Sequence, residues 1–216
     1  MSHRRLFVYG ASGHGKVVGD ILLALENSEF AGFVDDKVEL QGSNLLGRPV
    51  FGDGHWLEQE CTRARIGVAL GVADSFVRKR LFEQCLRWGA ELVTLIHPKA
   101  SVSNSANLEA GVVVMAHATI NACARVGLGA IVNTGAIVEH DVDVGDFAHV
   151  APNAAMGGAS RLGNFSHLGM GAVVIQCVSV GSKTIIGAGS VVVRDMQDGV
   201  VAYGVPARAA RSIESQ

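Results

Sequence analysis

From Val102 to Val192 every sixth residue is aliphatic or methionine, sixteen positions with no slip in register. The series runs Val102, Leu108, Val114, Ile120, continues through Val150, Met156 and Leu162, and closes on Ile186 and Val192. Two places before each stands a small or β-branched residue, as at Ala100, Ala118, Ala136, Ala154 and Ser190. A glycine often follows the aliphatic, as at Gly127, Gly145, Gly163 and Gly181. A six-residue repeat held this long is the signature of a parallel β-helix. Each hexad is one short strand plus a corner, and three hexads close a triangular coil. The aliphatic points into the prism, and the small residue sits beside it near the corner. The glycine is expected to relieve the turn where φ is positive. A single coil cannot bury its own apolar face, so stability has to come from stacking. Sixteen hexads make roughly five coils.

Residues 4–97 follow a different rhythm. "RLFVYG", "FAGFVDD", "RIGVALG" and "AELVTLIHP" read as strands. "HGKVVGDILLALEN" has helical spacing, with Val17, Ile21 and Leu25 on one face, and "SFVRKRLFEQCLRWG" is an amphipathic helix stopped by Gly89. Strands alternating with helices imply a small, parallel, Rossmann-like sheet. The fold class is therefore an α/β domain over residues 1–97 followed by an all-β parallel β-helix over 98–216.

The chain has 216 residues, 49% hydrophobic, which is ample for packed cores. With 18 basic and 20 acidic residues its net charge is −2, which argues against nucleic acid or an anionic membrane as partner. Cys61, Cys85, Cys123 and Cys177 form no CxxC pair, so buried, reduced thiols and no metal site are expected. The opening "MSHRRLFVYG" lacks the apolar stretch of a signal peptide. No apolar run approaches the ~20 residues of a membrane span. These features suggest a cytoplasmic protein with no membrane span.

The coil length gives meaning to a polar cluster inside the valine-rich text "AIVEHDVDVGDFAHV". His149 and His167 are eighteen apart and so occupy the same place on adjacent coils, about 4.8 Å from each other. Each precedes an inward aliphatic and should point outward. His140 falls at a corner, with Gly158 directly over it on the next coil. Glu139 and Asp141 flank it, and a carboxylate beside an imidazole orients the ring and raises its basicity. That arrangement suits a general base. In the first half, "GASGHG" follows a strand and opens a helix, so its amides and the helix dipole favour a diphosphate. Asp35 follows about 20 residues later at a strand end, where a carboxylate can accept ribose hydroxyls.

The segments "VYGASGHGKVV", "DD" at 35–36, "RKRLFEQCLRWG", "LIHPKASVS", "NTGAIVEHD", "FAHVAPNA" and "YGVPAR" together resemble the PglD/NeuD-type nucleotide-sugar acyltransferases of bacterial glycan synthesis, a branch of the hexapeptide-repeat, left-handed β-helix acyltransferases. The resemblance runs from Leu6 to Arg208. It implies an acetyl-CoA-dependent sugar N-acetyltransferase and a homotrimer with active sites between neighbouring prisms. It implies that His140 takes the proton of the sugar amine and that Asp141 supports it. It places His149 by the acyl thioester, and Asn133 near the acceptor sugar of an adjacent subunit. Gly158, Met170 and Ala188 would line the CoA arm, with Arg208 near the adenine. Ser12, Gly13, His14, Asp35, Asp36 and Gly71 match a uridine nucleotide site, and the sugar implied is a UDP-4-amino-4,6-dideoxy sugar. The text after Gly71, "GVADS", departs from the asparagines or acids common there, and Lys16 is an added charge in the loop.

Three other readings compete. Acetylation of a sugar hydroxyl, as on a sialic acid, would use the same base. A non-enzymatic solenoid whose α/β half senses a nucleotide would not bind coenzyme A. A dinucleotide oxidoreductase is disfavoured because Gly10, Gly13 and Gly15 do not make GxGxxG.

Overall fold

The computed structural model describes residues 5–26 and 28–213. The reading of residues 1–4 as part of a start without a signal peptide lies outside them. The described residues form two compact units divided after Pro98.

The first unit begins with β1 (Arg5–Tyr9), α1 (Gly13–Ala24) and β2 (Phe30–Val34). It continues with α2 (Gly54–Arg63), β3 (Ile66–Leu70), α3 (Ser75–Arg87) and β4 (Glu91–Leu92). The four strands form one parallel sheet in the order β2-β1-β3-β4. "AELVTLIHP" is thus not one strand. It divides into β4 and a separate two-residue strand, Leu95–Ile96.

α1 buries Val18, Ile21 and Leu22 together with Gly15 and Gly19, whereas Val17 is 42% exposed. The buried stripe is therefore one residue away from the Val17/Ile21/Leu25 row. Gly19 sets it, because a Cβ there would lie 2.5 Å from the Phe33 ring. The sequence reading missed α2, whose interior face holds only Gly54 and Leu57. Its start is marked instead by Asp53, which accepts the Trp56 N–H at 3.0 Å. Asp74 caps α3 in the same way through Val77 N–H, and Gly89 (φ +80°) ends it. Trp56 stacks on Phe51 with ring centroids 4.8 Å apart, which makes it a packing residue.

In the second unit each of the sixteen periodic aliphatics is the inner residue of a two-residue strand, from Ser101–Val102 to Val191–Val192. Strands eighteen residues apart pair in parallel, with Val138 opposite Met156, Val144 opposite Leu162 and Val150 opposite Leu168. The result is a three-faced β-helix. From Val112 onward its axis is filled by these aliphatics and by the small residues two places before them. Where serine or threonine replaces alanine the hydroxyls fare differently. Ser166 Oγ donates to Gly181 O at 2.6 Å and Thr184 Oγ1 to Gln197 O at 2.8 Å. Ser190 Oγ accepts Gly204 N–H at 3.1 Å, and Ser160 Oγ is buried with no hydrogen-bond partner among the described residues. The far end closes with strands Val200–Gly204 and Ala207–Ser212, paired antiparallel.

The glycine expectation needs correcting. Gly127, Gly145, Gly163 and Gly181 do not have positive φ. They are glycine because a Cβ would strike the coil above; at Gly163 it would lie 2.4 Å from Ser182 N. The left-handed residue comes two places later and recurs every six residues from Gly111 to Gly189. Of these fourteen corners, nine are not glycine, including Asp141 (φ 59°), Phe147 and Cys177. Each non-glycine costs about 1 kcal/mol in backbone strain. A backbone hydrogen bond to the coil below offsets it, as when Asp141 N–H donates to Ala122 O at 3.0 Å. Two thiols stand on these corners, so the expectation of four buried cysteines is also corrected. Cys85 is buried and Cys61 partly so, but Cys123 and Cys177 are exposed, and all four are free. Among the described residues no helix is long and apolar enough to cross a membrane.

Candidate active site

The corner at residues 139–142 brings His140, Asp141 and Gly158 together. The left-handed backbone at Asp141 swings its carboxylate back onto the preceding ring, so that Oδ2 lies 2.8 Å from His140 Nδ1. A carboxylate only accepts, so Nδ1 carries the proton and Nε2 is left with its lone pair. Glu139 does not reach the ring; it accepts the backbone N–H of His140 at 3.3 Å. The bond to Asp141 raises the His140 pKa above the ordinary histidine value, and the charges of Asp141 and Glu139 add to the rise. The ring stands in solvent, outside the prism core.

Gly158 lies directly over this ring. A Cβ there would sit 2.6 Å from His140 Nε2. The backbone at Gly158 is not left-handed, so alanine fits the main chain and only the imidazole has to move. Gly158→Ala is expected to change stability by less than about 1 kcal/mol. It should lower turnover about 10²-fold by displacing Nε2 roughly 1 Å. A thermal melt and steady-state rates on the same sample check both halves.

A second polar group lies on another face. His149 and His167 are in register on adjacent strands with ring centroids 4.8 Å apart, edge to face. His149 lies outside the prism core yet is only 8% exposed. Its Nε2 is 2.9 Å from Asn133 Nδ2 of the same chain. Within one chain the structure does not bring this group to His140, because the strand Ile137–Val138 separates Asn133 from the 139–142 corner. Met170 and Ala188 stack on successive coils at the corner series that includes Asn133, joined by Gly189 N–H donating to Met170 O at 2.8 Å. Met170 is 61% exposed. Arg208 is exposed on the terminal hairpin, its guanidinium donating to Ala207 O.

In the first unit the "GASGHG" loop is built on close backbone packing. A Cβ on Gly15 would lie 1.9 Å from Gly10 O, and one on Gly71 would lie 2.8 Å from the same oxygen. Gly71 N–H donates to Tyr9 O, tying the end of β3 to that of β1. Ser12 is the N-cap of α1 and makes no side-chain cap bond, while a Cβ on Gly13 would meet nothing within 4 Å. Lys16 is exposed on the first turn of α1. The two acids at the end of β2 are partly engaged. Asp35 is buried and accepts Ala11 N–H at 2.6 Å and Lys37 N–H at 2.9 Å. Asp36 accepts Tyr9 O–H and Gly54 N–H through one oxygen.

His14 is pushed down to about 4, first by burial and then by the nearby Arg78 charge. The unfolded chain takes up this proton below about pH 6.5 and the folded one only near 4, so stability falls as pH drops between them. The loss attributable to His14 is up to about 3 kcal/mol. Thermal melts at pH 7 and 4.5 should show a smaller acid loss in His14→Gln than in the parent chain.

Sequence reasoning missed Arg78. It is fully buried and donates to Val72 O at 3.2 Å and Ala73 O at 2.6 Å, clasping the segment after Gly71. The signal was present. Arg78, Leu81, Phe82 and Cys85 are the buried stripe of α3, and an arginine on that stripe asks for a buried partner.

Residues 5–85 match the family described as the PglD N-terminal domain. A mutant of perosamine N-acetyltransferase from Caulobacter crescentus, solved with CoA and GDP-perosamine, is 38% identical and superposes with a TM-score of 0.91. That similarity covers 96% of this chain and 97% of that one. The acetyltransferase domain of PglB from Neisseria gonorrhoeae, solved with acetyl coenzyme A, is 38% identical over 96% of this chain and 100% of its own, with a TM-score of 0.89. The UDP-N-acetylbacillosamine N-acetyltransferase of Bacillus subtilis is 37% identical over 116 residues. That match spans about half of each chain, 52% of this one and 52% of the relative.

Proposed function

The chain belongs to the PglD/NeuD-type nucleotide-sugar acyltransferases of the hexapeptide-repeat, left-handed β-helix superfamily, and on that premise we propose that it moves the acetyl group of acetyl-CoA to the amine of a nucleotide-linked 4-amino-4,6-dideoxy sugar. The carrier is UDP or GDP, since the relatives solved or named with such sugars include both. The reaction serves bacterial glycan synthesis in the cytoplasm.

The observation that carries this reading is the His140–Asp141 pair at 2.8 Å, with the Nε2 lone pair facing a glycine. As the sugar nitrogen attacks the thioester carbon, Nε2 takes its proton and Asp141 stabilises the imidazolium that forms. The C–S bond then breaks, the electron pair leaves on sulfur as the CoA thiolate, and an amide remains. In the tetrahedral intermediate the oxyanion needs a donor, which His149 or the Gly158 N–H would supply. Met170, Ala188 and Arg208 hold the CoA arm. In the first unit Ser12, Gly13 and His14 cradle the diphosphate at the start of α1, and Asp35, Asp36 and Gly71 border the nucleoside. His140 and the Asn133–His149 pair stand apart in one chain, so a single site that uses both takes them from different protomers, in keeping with a homotrimer.

The test is a panel of UDP-, GDP-, dTDP- and CMP-linked amino sugars with acetyl-CoA, followed by thiol release. Release with a UDP- or GDP-linked amine, and an amide in the product, is the expected result. Silence across the panel would overturn the reading.

A further inference from the structure

The two candidate histidines differ in which ring nitrogen a neighbouring side chain holds, Nδ1 at His140 and Nε2 at His149, and one backbone amide decides the proton's place at His149. The N–H of Thr134 meets one side-chain atom of Asn133 at 2.8 Å. A backbone N–H can only donate, so that atom is the amide oxygen, Oδ1. The other amide atom, Nδ2, therefore faces His149 Nε2 at 2.9 Å. An NH₂ group only donates, so Nε2 must accept, and the ring proton is on Nδ1. The edge-on ring of His167 packs against His149 and helps hold its plane.

We infer that Asn133 is a positioning residue that fixes His149 as the neutral Nδ1–H tautomer, so that His149 is an N–H donor and not a base. Both histidines then carry their proton on Nδ1, with opposite consequences. At His140 the proton is bound to Asp141 and the lone pair is open. At His149 the lone pair is bound to Asn133 and the proton sits on the opposite nitrogen, Nδ1. The division of labour follows, His140 receiving the amine proton and His149 steadying the oxyanion without giving its proton up. That use of the donor rests on the acetyl-transfer reading; the tautomer itself does not. Asn133, with its oxygen and one amide hydrogen engaged inside the protein, acts through His149 more than on the sugar.

The experiment uses the full chain labelled with ¹⁵N-histidine, without ligand, and two-bond ¹H–¹⁵N correlation to read which nitrogen of each ring is protonated. The His149 signal is assigned by its loss in His149→Gln. The expected spectrum has protonated Nδ1 and bare Nε2 at His149. In Asn133→Asp a carboxylate oxygen replaces the NH₂, and Nε2 should gain a proton. Turnover of Asn133→Asp should fall about 10²-fold in kcat, the cost of one oxyanion donor, with KM for the nucleotide sugar little changed. A protonated Nε2 in the parent chain would overturn the inference, as would an unchanged His149 spectrum in Asn133→Asp. So would a raised sugar KM with kcat intact, which would make Asn133 a sugar contact. A chain with the expected spectrum that acetylates no member of the panel would uphold the tautomer and count against the acetyl-transfer reading alone.

Discussion

His140→Ala is expected to lower acetyl-transfer turnover by about 10²–10⁴-fold, the range that one general base contributes. The fold should survive the change. His140 lies outside the axial core, and exposed positions away from caps and buried bonds usually shift stability by less than about 0.5 kcal/mol. The loss should appear in kcat, because the imidazole acts on a proton that moves only as the carbon–nitrogen bond forms. Near-normal turnover would remove His140 from the role and leave the corner as a solvated surface.

The second large effect is on stability and falls in the other unit. Gly15→Ala should destabilise the α/β unit by about 3 kcal/mol or more, the upper end of overpacking costs. Helix propensity alone predicts the opposite sign, a gain of about 1 kcal/mol for alanine over glycine inside a helix. Packing should win because the new Cβ would sit 1.9 Å from Gly10 O and 2.7 Å from Gly10 C, both backbone atoms. Gly10 cannot retreat easily, being at φ +116° and itself set so near the neighbouring chain segment that a Cβ on it would lie 2.7 Å from Gly71 O. The readout is clean because both tryptophans of the chain, Trp56 and Trp88, lie in this unit. Denaturation followed by tryptophan fluorescence should shift to lower denaturant. An unchanged midpoint would mean that the loop yields, and that the three glycines do not define its shape.

The solenoid was legible because its physics is repetitive. One aliphatic per hexad fills one slot of the prism, so the register of Val102 through Val192 marks all sixteen two-residue strands, though not the closing pair Val200–Gly204 and Ala207–Ser212. The same register put His167 beside His149 and Gly158 over His140. The corners were read less well. A glycine pattern points to positive φ at the glycines, but Asp141, Phe147 and Cys177 hold that conformation because backbone hydrogen bonds between coils compensate the strain. Such bonds join residues nineteen apart and leave no trace in local composition. In the first unit α2 was invisible because its interior face is nearly bare of apolar residues, and the α1 stripe was misplaced because glycines do the packing. Asp35 and Asp36 were legible as strand-end acids. Their engagement with Ala11, Lys37, Tyr9 and Gly54 depends on tertiary contacts that spacing does not encode. Of the two acids around His140, only the backbone at the corner decides that Asp141 reaches the ring and Glu139 does not.

The most direct measurement is the pH dependence of kcat/KM for the parent chain and for Asp141→Asn with the same nucleotide sugar and acetyl-CoA. Activity should fall as pH drops through the His140 pKa, which Asp141 holds above the usual histidine value. Removing that charge should carry the acid limb to lower pH and reduce the plateau rate, because the base is weaker. An acid limb that stays in place in Asp141→Asn would contradict the assignment of proton transfer to the Asp141-backed Nε2 of His140.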